Sequence, residues 1–276
     1  MKTNTILQGH VGGGKTRSLL TLLPEYEDER GRVHKGAGLT TLTIPMEPGY
    51  QHIFGKHGCA QGLHTHYHLP SGVDWDTISV YVKLLRDMSL KDVQDVQDPK
   101  KRQYTGFAEL FDVCKNYVCD GCGKEFGPIN ELDDSHAVCL DSLSPLSVLV
   151  TQAVCGGKPV PSRPEYFGML GFALSFLRLL FQATKCSVVL TAHIDRELDP
   201  VTGESTLTLD TIGQRLVKQI VKMPDELVTA YEEDGQYYWS NLRGRTGQVV
   251  KHRALPLSDR LEPSFRQIFH QRRTGK

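Results

Sequence analysis

Eight consecutive residues, Gly9-His10-Val11-Gly12-Gly13-Gly14-Lys15-Thr16, carry the strongest chemical signal in this 276-residue chain. They satisfy G-x-x-x-x-G-K-[ST] at every fixed position, and the flanking sequence has the order that the motif requires. Thr5-Ile6-Leu7 reads as a short buried strand leading into the glycines, and Ser18–Leu23 reads as a helix that stops at Pro24. Glycines let backbone N–H groups turn inward around a β-phosphate, and a helix N-terminus adds its positive dipole end. Lys15 would then bridge the β- and γ-phosphates, and the Thr16 hydroxyl would hold Mg²⁺. Arg17, next along the helix, completes the expected nucleotide-binding set.

A magnesium site of this kind needs a carboxylate at the end of a buried strand beside the glycine-loop strand. Ala137-Val138-Cys139-Leu140-Asp141 offers four apolar residues and then an acid, so Asp141 is the expected second magnesium residue. Hydrolysis needs a further carboxylate to orient water against the γ-phosphate. Glu47 follows the strand Leu39–Ile44 and fits that role. His193 closes the strand Ser187–Ala192, where a polar side chain could touch the γ-phosphate and report its presence to the following loop.

Cysteine spacing suggests a second chemistry. Cys114, Cys119 and Cys122 are spaced C-x₄-C-x₂-C, and Cys119-Asp120-Gly121-Cys122-Gly123 reads as a zinc knuckle turn. Structural zinc takes four ligands, and His136 is the expected fourth because Cys139 falls inside the Asp141 strand. The alternative is three reduced thiols at a helix end. His64, His66 and His68 alternate along an expected strand, Leu63–Leu69, and are read as an exposed strand face.

These residues sit within alternating strands and helices. Beyond those named, a helix is expected from Asp74 (Ile78, Val82, Leu85), a polar loop over 89–105 and a helix over Phe107–Val118. A long apolar helix over Pro164–Thr184, a turn-rich stretch over His193–Asp210, a helix near Gly213–Val221 and β-rich segments to about Ala254 follow. Alternation of this kind implies a parallel sheet with helices on both faces. Length suits one α/β domain over 1–276, with the cysteine segment 114–136 as an insertion. The composition, 39% hydrophobic and 23% charged, is that of a soluble globular protein. No run of about 18 apolar residues is evident, so no membrane partner is expected. The N-terminus lacks a signal-peptide pattern, and a cytoplasmic setting with reduced thiols is expected. Net charge is zero, yet Leu242–Lys276 holds nine Lys/Arg against Asp259 and Glu262. Such a basic end suits a polyanion or an acidic neighbouring subunit, or is a solvated surface.

In this order the segments resemble the RecA-like recombinase core, and most of all the phage-encoded annealing ATPases of the Sak type. GHVGGGKT resembles that family's P-loop, and TLTIPMEPGY its strand ending on the catalytic glutamate, here Glu47. AVCLDSLSPL is similar to its Asp-Ser magnesium strand, and SVVLTAHID to its sensor strand, with His193 at the sensor position. Val249-Val250-Lys251-His252-Arg253 is similar to a late strand whose alternate basic residues reach the neighbouring subunit's nucleotide. The resemblance implies ATP and Mg²⁺ as ligands, single-stranded DNA as partner, self-association in a ring or filament, and contact with a single-strand-binding protein. It also implies location in the host cytoplasm for a phage-encoded protein. The chain begins about three residues before its first strand, without the segment that links subunits in larger recombinases. Ile194–Thr211, where the family places a DNA-contacting loop, holds Arg196 as its only cation beside five acids.

Lys251 and Arg253, two apart on a strand, would share one face, which suits an arginine-finger role in trans or equally an exposed charged edge. Two other readings remain: another P-loop motor, such as a helicase core or packaging ATPase, and an assembly scaffold gated by nucleotide with little turnover.

Overall fold

The computed structural model describes residues 2–28, 30–48, 50, 54, 57–69, 104–156, 161–198, 205–242, 250–253 and 255–274. The helix expected from Asp74, and all but the last two residues of the loop expected over 89–105, lie outside them.

Six strands form the parallel body of the central sheet: β1 (Asn4–Gly9), β4 (Thr40–Pro45), β5 (Leu63–Thr65), β8 (His136–Asp141), β9 (Ser187–Leu198) and β11 (Glu226–Glu233). With β12 (Gln236–Ser240) antiparallel at one edge, the order is β12-β11-β1-β9-β8-β4-β5. Two small hairpins lie apart from it, β2 (Glu25–Glu27) with β3 (Val33–Lys35) and β6 (Tyr117–Val118) with β7 (Glu125–Gly127).

Strand alternation sends successive side chains to opposite faces, and both faces are covered. Ile6, Val138, Leu140, Val188 and Leu190 enter one core, whereas Leu7, Ala137, Cys139, Val189 and Val228 enter the other. The first core is closed by α2 (Gly106–Lys115), α3 (Leu143–Cys155), α4 (Arg163–Arg178) and α5 (Gly213–Ile220). The second receives α1 (Lys15–Ser18), its 3₁₀ continuation Leu19–Leu22, and α6 (Phe265–Thr274). The fold class is therefore the expected mixed α/β arrangement around a mostly parallel sheet.

One helix start carries a clear local signal. At α4, Ser162 and Glu165 form a capping box, the Ser162 N–H donating to Glu165 Oε2 at 2.7 Å, with Pro164 in the first turn. The stretch Arg163–Ala183 is long and apolar enough to cross a membrane, contrary to the sequence expectation. Its Met169, Leu170, Ala173, Phe176, Leu177, Leu180 and Phe181 are nevertheless buried in the first core.

Three local expectations change. The turn-rich stretch after His193 is instead a ribbon: β9 runs on to Leu198 and pairs antiparallel with β10 (Ser205–Leu209), seated by the cross-strand pair of buried Ile194 and Leu209. The strand expected over Leu63–Leu69 ends at Thr65. His64 and His68 are buried rather than displayed on an open face, the His68 ring meeting the Gly106 carbonyl at 2.7 Å. The late strand expected around Lys251 and Arg253 reduces, among described residues, to one antiparallel bridge between Lys251 and Leu227.

The C-terminal helix α6 had no clear sequence signal, being polar on most of its surface. Its Phe265 is fully buried, packs edge-on against Trp239 at 4.9 Å between ring centroids, and donates its N–H to Thr21 Oγ1 at 2.8 Å. Phe265→Ala is expected to cost about 3–5 kcal/mol. Urea unfolding should show a lower midpoint at unchanged slope; an unshifted midpoint would mean that α6 does not hold the second core.

Candidate functional site

Parallel strands deliver their C-terminal ends to one edge of the sheet, where ligands of open α/β folds bind. Register aligns four of these ends: Gly9 pairs with His193, and Pro45 pairs with Asp141. Glu47 follows Pro45 by two residues. The result is a cleft of about 450 Å³ lined by Gly12, Gly14, Lys15, Thr16, Arg17, Glu47, Asp141, His193 and Tyr237.

The loop is shaped by close approach. A Cβ on Gly9 would lie 2.3 Å from the Ala230 carbonyl oxygen, so only glycine fits against β11 there. Gly14 has φ +81°, and a Cβ on it would lie 2.7 Å from the Tyr237 ring. Gly13 closes the turn by donating its N–H to the His10 carbonyl at 3.1 Å, and Val11 stands exposed at the loop tip. Arg17 places its guanidinium 5.5 Å from the centroid of the Tyr237 ring.

Lys15, Thr16, Asp141, Glu47 and His193 come together as expected from sequence. Lys15 Nζ donates to the carbonyls of Gly9 (2.9 Å) and His10 (2.8 Å) and lies 3.3 Å from His193 Nδ1. The other ring nitrogen, Nε2, faces Glu47 Oε1 at 2.9 Å and Oε2 at 3.2 Å. Both ring nitrogens of His193 are thus engaged, and the imidazole bridges the Lys15 ammonium to the Glu47 carboxylate. Ser142 Oγ donates to Glu47 Oε1. Thr16 Oγ1 donates to Asp141 Oδ2 at 2.8 Å, and Thr191 Oγ1 donates to Asp141 Oδ1.

Burial sets the electrostatics. It lowers the Lys15 ammonium below its ordinary value, although the charges of Asp141 and Glu47 pull it back. Burial pushes the Glu47 carboxyl upward, but the hydrogen bonds from His193 and Ser142, with the charges of His193 and Lys15, outweigh it and hold Glu47 below the usual range. Asp141 is 2% exposed. Burial dominates there and raises its carboxyl, against hydrogen bonds from the Thr191 and Thr16 hydroxyls.

The Asp141 strand is not next to β1, contrary to expectation: β9 lies between them, and Asp141 reaches the loop across it through Thr16. Sequence reading missed Thr191, Tyr50, Tyr237 and Ser142 as site residues. Thr191 had a signal, since alternation along β9 puts it on the face of His193. Ser142 follows Asp141 directly, whereas nothing local marks Tyr50 or Tyr237.

Lys251 and Arg253 lie elsewhere. Lys251 Nζ donates to the Lys222 carbonyl at 3.1 Å, and Arg253 pairs with Asp225 Oδ1 at 2.6 Å. Both contacts sit where β11 begins, the end of the sheet opposite the glycine loop.

The expected metal ligands also divide. Cys119 and Cys122 gather with Cys59 and His64, all four ligand atoms within 4.8 Å of one another. Cys114 is not among them, because it is buried in the first core on the apolar side of α2 with Leu110, where burial pushes its thiol up to about 12. His136 turns its Nδ1 to Asp133 Oδ1 at 2.7 Å instead. All seven cysteines are free thiols.

The raised Asp141 carboxyl gives a stability prediction with a definite sign. An unfolded carboxyl ionises at its ordinary value and the folded one above it, so the ligand-free fold loses stability as pH rises through that interval. Asp141→Asn removes this loss. Without nucleotide or divalent metal, its Tm at pH 7 should exceed the parent's by about 2–4 °C for each kcal/mol recovered. The gain should shrink as pH falls towards about 4, where the parent carboxyl is protonated. A variant less stable than the parent at pH 7 would contradict the burial argument.

No protein-family model matches the chain, and no curated protein matches its sequence.

Proposed function

We propose that this chain binds ATP with Mg²⁺ at Gly9–Thr16 and hydrolyses it to ADP and phosphate. One observation carries the reading: the Thr16–Asp141 hydrogen bond and the Lys15–His193–Glu47 chain meet at the mouth of the same glycine loop. Thr16 and Asp141 are oxygen donors, the ligand type that Mg²⁺ selects. When bound, the ion neutralises charge on the β- and γ-phosphates.

Each residue then has a task. Backbone N–H groups of the loop hold the β-phosphate, and Lys15 leaves the Gly9 and His10 carbonyls to bridge the β- and γ-phosphates. Glu47, held ionised, orients the attacking water and takes its proton as the bond from phosphorus to the ADP oxygen breaks. His193 fixes the Glu47 carboxylate through Nε2–H. Its Nδ1 is within reach of Lys15, so movement of that ammonium onto phosphate alters the partner of the ring, which suits a sensor of the γ-phosphate. Tyr237 and Arg17 border the outer side of the cleft, where the rest of the nucleotide would lie.

The finer reading is a RecA-like ATPase acting on single-stranded DNA in phage-type annealing or recombination, with subunits assembled around the DNA. It is supported by the order of the five motif segments and by the basic stretch after Leu242. Action of Lys251 and Arg253 on a neighbour's nucleotide would require Arg253 to leave Asp225, which its exposed side chain permits.

Lys15→Ala should lower ATP turnover by about 10²-fold or more, since the loop loses its phosphate-facing cation. Undiminished turnover would overturn the nucleotide reading.

Glu47→Gln should retain ATP binding while slowing hydrolysis by about 10²–10⁴-fold. Equilibrium binding and single-turnover rates separate the two quantities, and parent-like hydrolysis would assign the water to another group. Single-stranded DNA should raise the parent ATPase rate. A rate indifferent to DNA would favour the nucleotide-gated scaffold.

A further inference from the structure

We propose that Cys59, His64, Cys119 and Cys122 form a four-coordinate structural zinc site that fastens the β6–β7 hairpin to the edge of the central sheet. Two ligands come from the β4–β5 connection and β5 itself, spaced C-x₄-H, and two from the hairpin turn, spaced C-x₂-C. Cys59 Sγ and Cys119 Sγ are 3.5 Å apart, and Cys122 Sγ and His64 Nδ1 are 3.7 Å apart. Zn–S bonds of about 2.3 Å at tetrahedral angles separate sulfurs by about 3.8 Å, so the four atoms already stand near the corners of one coordination shell. Cys₃His is a complete set for zinc and leaves no position open for water or substrate, which makes the site structural.

The surroundings hold the ligands in place. Cys119 donates its N–H to the Lys124 carbonyl at 3.0 Å, and its own carbonyl accepts from the Gly123 N–H at 2.8 Å, closing the knuckle. Backbone N–H groups of Cys122, Thr65 and Gly121 point at the Cys119 sulfur. A Cβ on Gly121 would stand 3.2 Å from Cys59 Sγ, so a larger residue would crowd the cluster. The Phe126 ring packs edge-on against His64 at 4.5 Å and helps fix its orientation.

The site has a clear job in the fold. Among the described residues β5 is the last strand of the sheet, and it is three residues long. Asp120 donates its N–H to the Thr65 carbonyl at 2.9 Å, and the Tyr67 N–H donates to Asp120 Oδ2 at 2.7 Å, so the knuckle covers the side of β5 that has no partner strand among the described residues. Zinc would lock that cover over an edge that would otherwise offer its backbone to another chain.

The test uses the full chain, purified under reducing conditions without chelator, and does not depend on nucleotide binding. Elemental analysis should find about one zinc per chain. Cys59→Ser and Cys119→Ser should each lower that content about tenfold, whereas Cys114→Ala and His136→Gln should keep it. For ligand variants that fail to fold, cobalt exchanged into the parent protein supplies the readout, with tetrahedral visible bands and thiolate charge-transfer absorption expected. Protein free of zinc, cobalt bands of octahedral type, or zinc lost from the Cys114 and His136 variants but kept in Cys59→Ser, would each overturn the assignment.

Discussion

The buried carboxylate of Asp141 is the constraint on which the rest of the site depends. It lies at the floor of the cleft, held by the hydroxyls of Thr16 and Thr191, with Tyr50 bonded to its backbone carbonyl at 3.3 Å. An ionised carboxylate so far from water is costly unless a cation or hydrogen-bond donors compensate. Two threonine hydroxyls compensate in part, which is why its carboxyl remains raised. The cost is concentrated at one position, the strand end that faces Thr16 and the glycine loop. Around it the second carboxylate, Glu47, is kept ionised by His193 and Ser142. Two acids on neighbouring strand ends thus acquire opposite proton affinities, a separation typical of sites in which two carboxylates have different tasks.

Much of this was legible in the residues themselves. The glycine loop carries both its motif and its flanking strand and helix, so Lys15 and Thr16 could be placed without coordinates. Asp141, Glu47 and His193 were found because each follows an apolar run, and parallel strands that share a direction must end on one side. What the sequence could not supply was neighbour order. Nothing in Ser187–His193 says that this strand inserts between β1 and β8, and that insertion brings His193 between Lys15 and Glu47.

The cysteines make the same point more sharply. Local spacing brings Cys119 and Cys122 together, because both lie in one turn. Their neighbours in the cluster come from far along the chain, Cys59 lying 60 residues from Cys119 and His64 lying 58 residues from Cys122. Cys114 lies one helical turn after Leu110, so periodicity along α2 carries it into the core beside that side chain. Lys251 and Arg253 lie away from the cleft for another reason. Two alternating cations suggest a strand, but among the described residues this backbone is tied to β11 by one bridge, and charge on its own does not make a ladder.

Strand β9 changes character along its length. From Val188 to Leu190 it is paired on both sides, to β1 and β8, and from Thr191 to His193 to β1, whereas from Ile194 onward its described partner is β10. Four residue steps from Ile194 to Leu198 carry the ribbon about 13 Å past the sheet. A two-stranded ribbon in water is marginal without support, so its order is borrowed from the strand that continues into the core. The free energy of local opening is therefore expected to rise along one continuous backbone, from Leu198 towards Val189. His193 stands at the step in that gradient, where the central sheet gives way to a two-stranded ribbon.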